Sequence, residues 1–433
     1  MRSGEHLLSE LFNAALQAVD PYKSTARHAE IIRSLYQRCN CRKLYVAGFG
    51  KAACRMAISI EGNLSVPIDA GIVITKYGHC ADNPSGIKVH EAGHPLPDEN
   101  GLTGTNEIIN LLSNADDKTL VLCLISGGGS ALLVSPFKGI TLYEKRTVTD
   151  LLLKAGADIH ELNTVRKHIS SVKGGRLTEI AYPARVLSLI LSDVIGDRVD
   201  VIASGPTSPD SSTYADALRV LEKFGLLEKI PRSIYDILRN GAGGLIPETP
   251  KESSAVFRKV DNIIIGSNRK ALEGAREKAE FLGFNTEIIS PEISGEAAET
   301  AKWLARKAVP VRKDRHYGKP MCLLSGGETT VTVRGDGLGG RNTELALAFA
   351  MEINGYDGIT LLSAGTDGTD GPTDAAGAIV NGSTVRKARA MGLDPHEYLK
   401  NNDSYNFFKK TGDLLITGPT GTNVMDIQIT IIE

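Results

Sequence analysis

Short, nearly continuous apolar runs alternate with amphipathic segments along the chain. Residues 44–47, 120–125 and 186–191 are the clearest of these runs in the first half of the sequence. A strand that is apolar throughout is usually buried on both faces of its sheet, so the runs predict a mostly parallel sheet. The amphipathic segments between them predict helices that cover this sheet. The alternation therefore predicts an α/β fold.

The apolar pattern is interrupted once, near residues 241–254, where glycines, prolines and charged residues predict a linker. Strand and helix patterns then resume, with predicted strands that include 321–324 and 330–333. A chain of 433 residues also exceeds what one hydrophobic core usually supports. We therefore predict an N-terminal Rossmann-like domain at 1–245, a C-terminal α/β domain at 255–433, and an active site in the cleft between them.

Composition narrows the classes of partner. The 49 Lys and Arg residues nearly balance the 51 Asp and Glu residues, which argues against nucleic acid or an anionic membrane as a partner. No stretch approaches the ~20 apolar residues of a membrane span, and the first residues lack a signal-peptide core. The six cysteines show no metal-binding spacing, so reduced thiols and a cytoplasmic location are expected. Small molecules are the expected partners, and a homodimer is a candidate assembly.

The first glycine-rich loop contains Gly48, Gly50 and Lys51, between a predicted strand and a predicted helix. Its spacing fits a dinucleotide-binding turn, but the next strand ends in Thr75-Lys76, without the acidic residue that holds a ribose. A lysine at a helix N-terminus opposes the helix dipole unless an anion offsets it. Anion binding is therefore favoured over the alternative, a tight turn with a solvated lysine.

A second loop follows the predicted strand at 120–125 and has three consecutive glycines between two serines. Successive N–H groups in such a loop converge into a concave site for an anion, and a structural turn rarely needs three glycines. The loop is therefore predicted to bind phosphate or carboxylate groups. Its members are Ser126, Gly127, Gly128, Gly129 and Ser130.

A basic and polar cluster lies on the predicted helix at 159–172 and just beyond it. At helical spacing Asn163, Arg166 and Lys173 fall near one face. This predicts a ligand-binding face, and a solvated charged face is the alternative.

Asp193 directly follows the apolar strand at 186–191, where nucleotide enzymes place a carboxylate that holds Mg²⁺. Asp197 is a candidate second ligand. An N-cap of a following helix is an equal alternative for Asp193.

Polar residues also follow several strands of the predicted C-terminal domain. Arg341 opens a helix after Gly-Gly, in a position much like that of Lys51. Structural turns explain any one of these features, but several together in one domain predict a site. Its candidates are Glu328, Arg341, Asn342, Asp367 and Asn423.

Eight motifs begin at Ala47, Gly93, Ile125, Val172, Ala203, Gly326, Gly339 and Ala364. In this order they resemble the motifs of the type II glycerate kinases, nearly from end to end and including a C-terminal MOFRL domain. The resemblance implies phosphorylation of D-glycerate by ATP with Mg²⁺ or another divalent cation. It further implies 2-phosphoglycerate as the product, as in archaeal and some bacterial members, within sugar-acid or serine metabolism. The family's essential lysine and arginine match Lys51 and Arg341.

These residues lead to a hypothesis for phosphoryl transfer, a reaction that depends on positioning and charge stabilisation. The ATP phosphates lie on the loop at 126–130 with Lys173 nearby, and Asp193 holds the metal. Lys51 and Arg341 approach the transferred group from opposite domains. Asp367 or Asp193 accepts the proton of the glycerate hydroxyl.

Two other functions stay open at this point. One is an NAD(P)-dependent hydroxypyruvate reductase, which the missing ribose acid and the lack of a His–carboxylate pair disfavour. The other is a non-enzymatic protein that binds a sugar acid between Lys51 and Arg341.

Overall fold

The computed structural model of the protein describes residues 4–313 and 319–433. Its strands are β1 (Lys43–Phe49), β2 (Ala70–Lys76), β3 (Lys88–Ala92), β4 (Thr119–Ile125), β5 (Arg185–Leu191), β6 (Val260–Gly266), β7 (Asn285–Glu296), β8 (Met321–Thr330), β9 (Ile359–Gly365), β10 (Gly377–Asn381), β11 (Leu414–Leu415) and β12 (Asp426–Ile432). Its helices are α1 (Gly4–Ala18), α2 (Pro21–Ala26), α3 (Ala29–Arg38), α4 (Ala53–Asn63), α5 (Glu99–Ser113), α6 (Gly129–Leu132), α7 (Leu142–Lys154), α8 (Ile159–His168), α9 (Arg176–Ala181), α10 (Tyr214–Lys223), α11 (Arg232–Ala242), α12 (Asn268–Phe281), α13 (Ala297–Lys313), α14 (Arg341–Glu352), α15 (Thr384–Ala390), α16 (Pro395–Lys400) and α17 (Ser404–Thr411).

The chain forms two compact units, which we call the first and second unit. The first unit holds residues 21–265, and the second holds residues 4–20 together with 266–433. The predicted boundaries, 1–245 and 255–433, differ from this division at the N-terminus. Leu8 and Leu11 of α1 share a core with Leu272 and Ala275 of α12, so apolar burial places α1 in the second unit.

The first unit is a doubly wound α/β sheet. Its strand order is β3-β2-β1-β4-β5-β6, and β1 to β5 pair in parallel. Successive residues of β4 bury alternate sides: Leu122 packs into the core on one face, and Cys123 into the core on the other. This is the strand order of a Rossmann fold, with its reversal point between β1 and β4. The predicted Rossmann-like, mostly parallel sheet is confirmed.

The second unit contains a mixed sheet in the order β11-β10-β9-β12-β8-β7. Among the described strands of this sheet, β7 and β8 alone pair in parallel, whereas β12 pairs antiparallel with both β8 and β9. The two strands predicted at 321–324 and 330–333 are wrong as separate elements, because β8 runs unbroken over Met321–Thr330. The predicted C-terminal α/β domain is confirmed.

Local capping fixes where the helices beneath the candidate site begin. Thr141 and Asp158 each accept a hydrogen bond from the backbone N–H three residues later, and a Glu at that position bonds back. Such capping boxes satisfy donors that the first turn of a helix leaves unpaired. They start α7 and α8, which carry Lys145, Asn163 and Arg166.

Two sequence expectations concern thiols and membranes. Cys54 and Cys80 form a disulfide, with their Cα atoms 5.7 Å apart, so the expectation of free thiols is wrong for this pair. Their separation of 26 positions gave no pairing signal, because α4 and the loop after β2 meet only in the folded unit. Among the residues described, no helix is both long and apolar enough to cross a bilayer.

Candidate active site

The two glycine-rich loops of the first unit meet where the strand order reverses. The N–H of Lys51 donates to the carbonyl of Gly127 at 2.9 Å, and the N–H of Ala52 donates to Oγ of Ser126 at 3.0 Å. These two N–H groups of the first loop therefore bind the second loop rather than a ligand. Ligands in open α/β sheets bind in this crevice, beyond the carboxyl ends of the strands.

Gly48 and Gly50 serve this packing. Gly48 lies inside β1, where a Cβ atom would stand 2.7 Å from Cγ2 of Val73. Gly50 has φ +129°, a conformation that favours glycine. A Cβ atom on Gly50 would stand 2.5 Å from the carbonyl oxygen of Ser126. Close packing therefore explains both glycines, and their predicted contact with a ligand stays a prediction.

The second loop presents free donors. Within the part of the chain that the structure describes, the N–H groups of Gly127 and Gly128 donate to no protein acceptor. The carboxylate of Asp193 lies directly against Cα of Gly127, and Lys51 and His94 lie against Cα of Gly128. The N–H donors and the lysine suit an anionic ligand, and the carboxylate suits a cation bound to that ligand.

His94 is a member of this site that the sequence did not single out as a site residue, although it stood in the Gly-His-Pro motif. Burial, followed by the charges of Lys51, Lys76 and His79, lowers the pKa of His94 to about 4. Its imidazole is therefore neutral at physiological pH and adds no charge beside Lys51.

Gly127 leaves no room for a side chain in the site, and Gly127→Ala is expected to lower kcat by about 10²-fold. A Cβ at this position would stand 2.2 Å from Oδ2 of Asp193 and would displace the carboxylate. Gly243→Ala is the matched control, because its Cβ would meet nothing closer than 3.4 Å. Steady-state kinetics of both variants test the prediction, and equal rates would contradict it.

Asn163 and Arg166 lie on α8 as predicted, but Lys173 does not. The helix ends at His168, and Lys173 follows in a turn, so the predicted common helical face is wrong for this residue. Lys173 nevertheless returns to the same place, since its Nζ donates to the carbonyl of Ala203 at 3.2 Å. Next to Ala203, Ser204 donates to Oδ1 of Asn163 at 2.9 Å.

Ala203 and Ser204 have left-handed backbone conformations, with φ of 52° and 63°. Such values are strained for residues with a Cβ and concentrate at functional sites. The strained turn also contacts the glycine-rich loop, because Oγ of Ser204 lies 2.8 Å from Oγ of Ser130.

Asp193 fits a role as ligand of a nucleotide-bound cation. The 3₁₀ turn that follows, Ile195–Asp197, has Val194 rather than Asp193 at its N-cap. No group of three or more metal-ligating side chains occurs within residues 4–313 and 319–433. A Mg²⁺ ion held by nucleotide phosphates needs only one or two protein carboxylates. The roles of Asp193 and Asp197 as ligands stay predictions.

The second unit holds a separate charged cluster around Arg341, the first residue of α14. Its Nε and Nη2 bond both carboxylate oxygens of Asp426, at 2.6 and 3.0 Å, and Nη1 bonds Glu328 at 2.5 Å. Burial opposes the charged form, but Asp426 and Glu328 more than offset it and raise the pKa of Arg341. Asp426, the first residue of β12, was missed by the sequence analysis.

The other candidates of the second unit have local partners. Asn342 is buried and bonds Asp370 and Ser363, which is a structural role. Oδ1 of Asp367 accepts from the backbone and the hydroxyl of Thr369, and Oδ1 of Asn423 accepts from the backbone of Met425. Their predicted ligand contacts stay predictions.

Comparisons with known proteins agree along the whole chain. Residues 7–239 match a family described as a domain of unknown function, DUF4147, and residues 321–426 match the MOFRL family. A D-glycerate 2-kinase of Thermotoga maritima is 47% identical, with 98% of each chain covered. A glycerate 2-kinase of Pyrococcus horikoshii is 42% identical, covering 98% of this chain and 96% of that one.

Two further matches add to these. A protein of Agrobacterium vitis, provisionally named a hydroxypyruvate reductase, is 39% identical over 99% of this chain and 95% of its own. A crystal structure of glycerate kinase from Thermotoga maritima superposes with a TM-score of 0.90 at 46% identity, covering both chains completely. The chain therefore belongs to the glycerate 2-kinase family with a C-terminal MOFRL domain.

Proposed function

We propose that this protein phosphorylates D-glycerate with ATP and forms 2-phospho-D-glycerate. The observation that carries the proposal is the loop at 126–130, where free N–H groups lie beside Lys51 and Asp193. A cation, converging N–H donors and a carboxylate are the groups that position and stabilise a transferring phosphoryl group. The named activities of the relatives from Thermotoga and Pyrococcus support the same reaction.

Each group in the loop has a proposed role. The N–H groups of Gly127 and Gly128 bind phosphate oxygens of ATP, and Lys51 stabilises the negative charge that develops on the transferred group. Asp193 would hold Mg²⁺, which neutralises phosphate charge when bound, and Asp197 is a candidate second ligand. Asp193 or Asp367 accepts the proton of the glycerate hydroxyl. Arg341 is proposed as the second cation of the reaction.

The proposal is tested by incubating the protein with D-glycerate, ATP and Mg²⁺ and detecting the product in two ways. We expect signal when enolase alone is the coupling enzyme, since enolase consumes 2-phosphoglycerate. Signal only after phosphoglycerate mutase is added would instead mean 3-phosphorylation. Absence of ADP under either condition would overturn the proposed function.

The reductase alternative lacks support in the geometry of the first unit. A dinucleotide site of the Rossmann type holds the ribose with an acidic residue at the end of β2, and Lys76 occupies that end. Hydroxypyruvate should therefore cause no change in nicotinamide absorbance. A cytoplasmic location, a homodimer and an active site in an interdomain cleft stay predictions.

A further inference from the structure

Three cationic side chains come together beneath the glycine-rich loop of the first unit. Lys145 extends from the first turn of α7, Arg166 from α8, and Lys173 from the turn after α8. Lys145 and Lys173 are buried, with 5% and 0% of their surface exposed. We call these three residues the buried cation cluster.

Nothing in the first unit neutralises the buried cation cluster. Across the described ranges, 4–313 and 319–433, none of its three residues forms an ion pair. Nζ of Lys145 and Nζ of Lys173 each donate to one backbone carbonyl, Ile169 and Ala203, both at 3.2 Å. Buried charges are normally paired, because removing a charge from water is costly. The cluster is therefore a set of cations that no carboxylate of the first unit pairs with.

The electrostatics agree with this geometry. Burial and then the charge of Arg166 lower the pKa of Lys145 to about 7. Burial, followed by the charges of Lys145 and Arg166, lowers the pKa of Lys173 further below its ordinary value. Each lysine is thus held below its usual proton affinity, and an anion bound beside them would favour their charged forms.

A polar chain connects the cluster with the loop that is proposed to bind phosphate. Nδ2 of Asn163 is buried without an acceptor, while its Oδ1 accepts from Ser204, whose Oγ lies 2.8 Å from Oγ of Ser130. Ser130 ends the glycine-rich loop. An unpaired amide donor and two hydroxyls beside a cationic cluster match a molecule with a carboxylate and hydroxyl groups on adjacent carbons.

We propose that the buried cation cluster binds the carboxylate of the sugar-acid substrate, with Lys145 as a specificity-determining residue outside every recognised motif. This inference rests on the proposed function and adds the position of the carboxylate of D-glycerate relative to the glycine-rich loop. The carboxylate lies between Lys145, Arg166 and Lys173, and its adjacent hydroxyls point along Asn163 and Ser204 towards the glycine-rich loop. Partly exposed Arg166 gives the anion a route from solvent.

A purely structural role for Lys145 is the main alternative. Its bond to Ile169 lies at the C-terminal end of α8, where a cation stabilises the helix dipole. That role does not explain Arg166, which has no hydrogen bond or ion pair in the described part of the chain, or the unpaired amide of Asn163. The two roles predict different kinetic effects.

The test compares Lys145→Met and Arg166→Met with the wild-type enzyme. Each variant should raise the KM and the calorimetric Kd for D-glycerate about tenfold or more, because a charged hydrogen bond to the carboxylate is lost. The KM for ATP should change less than about twofold, as expected when the nucleotide binds elsewhere. Neutral D-glyceramide should bind the wild type and both variants with similar weak affinity.

Lys154→Met is the control, since Lys154 is exposed on the same helix and pairs only with Asp150. It should leave both KM values unchanged, and thermal unfolding should show all three variants folded. An unchanged KM for D-glycerate in both test variants would overturn the inference, and a raised KM for ATP alone would assign the cluster to nucleotide phosphates. A wild-type enzyme that neither binds nor phosphorylates D-glycerate would instead overturn the proposed function.

Discussion

Lys51→Ala is expected to lower kcat by about 10²- to 10³-fold, the usual effect of removing one group that stabilises transition-state charge. In the part of the chain that the structure describes, Nζ of Lys51 has no hydrogen bond or ion pair, and the side chain lies against Gly128 of the loop that is proposed to bind phosphate. The charge is therefore available to a ligand. ADP formation at saturating D-glycerate and ATP measures the effect.

The free energy of unfolding distinguishes a catalytic role of Lys51 from a structural one. Since no protein partner of Nζ is lost, the free energy of unfolding should change by less than about 0.5 kcal/mol. Lys88→Ala is the control: Lys88 is the first residue of the edge strand β3 and pairs with Glu107 on the surface. A Lys51→Ala enzyme with near-normal kcat would remove Lys51 from the mechanism.

Arg341→Leu is expected to lower both activity and stability. Asp426 is 1% exposed, and Arg341 is its bidentate partner, so the substitution leaves a buried carboxylate without a counter-charge. Breaking such a pair typically destabilises a protein by about 3–5 kcal/mol. Loss of the second proposed cation should also lower kcat by about 10²-fold. Urea unfolding and initial rates measure the two effects.

The double variant Arg341→Leu/Asp426→Leu separates stability from catalysis. Replacing a buried ion pair by apolar residues is often neutral, so most of the lost stability should return. The rate should stay low, because no cation is restored. If activity returned together with stability, Arg341 would serve only to neutralise Asp426, and its proposed catalytic role would be wrong.

Periodicity and composition along the chain were enough to predict the α/β class and the Rossmann-like sheet. These properties are local: an apolar run of strand length, such as β4, predicts burial on both faces wherever the chain later places it. Glycine-rich ends of such strands predicted the loop at 126–130 and the position of Lys51. The motifs likewise predicted the family, because their residues and order are properties of the sequence itself.

Other features depended on contacts between distant segments. Nothing in the sequence joined Asp426 to Arg341, which is 85 residues away and meets it only because β12 lies between β8 and β9. The same holds for α1, which crosses into the second unit, and for the Cys54–Cys80 pair. Pairing across a sheet follows from strand order, which hydrophobic periodicity does not encode.

Lys145 shows most clearly what the sequence alone does not predict. In the sequence it is one of several charged residues on an amphipathic helix, a pattern that usually indicates a solvated face. In the structure it is buried beside Arg166 and Lys173 without an ion pair among the described residues. The sequence determined which elements form and where their polar ends lie, and only tertiary packing decided which charges lost their water. The reason is that desolvation depends on every segment packed around a charge rather than on its neighbours in the chain.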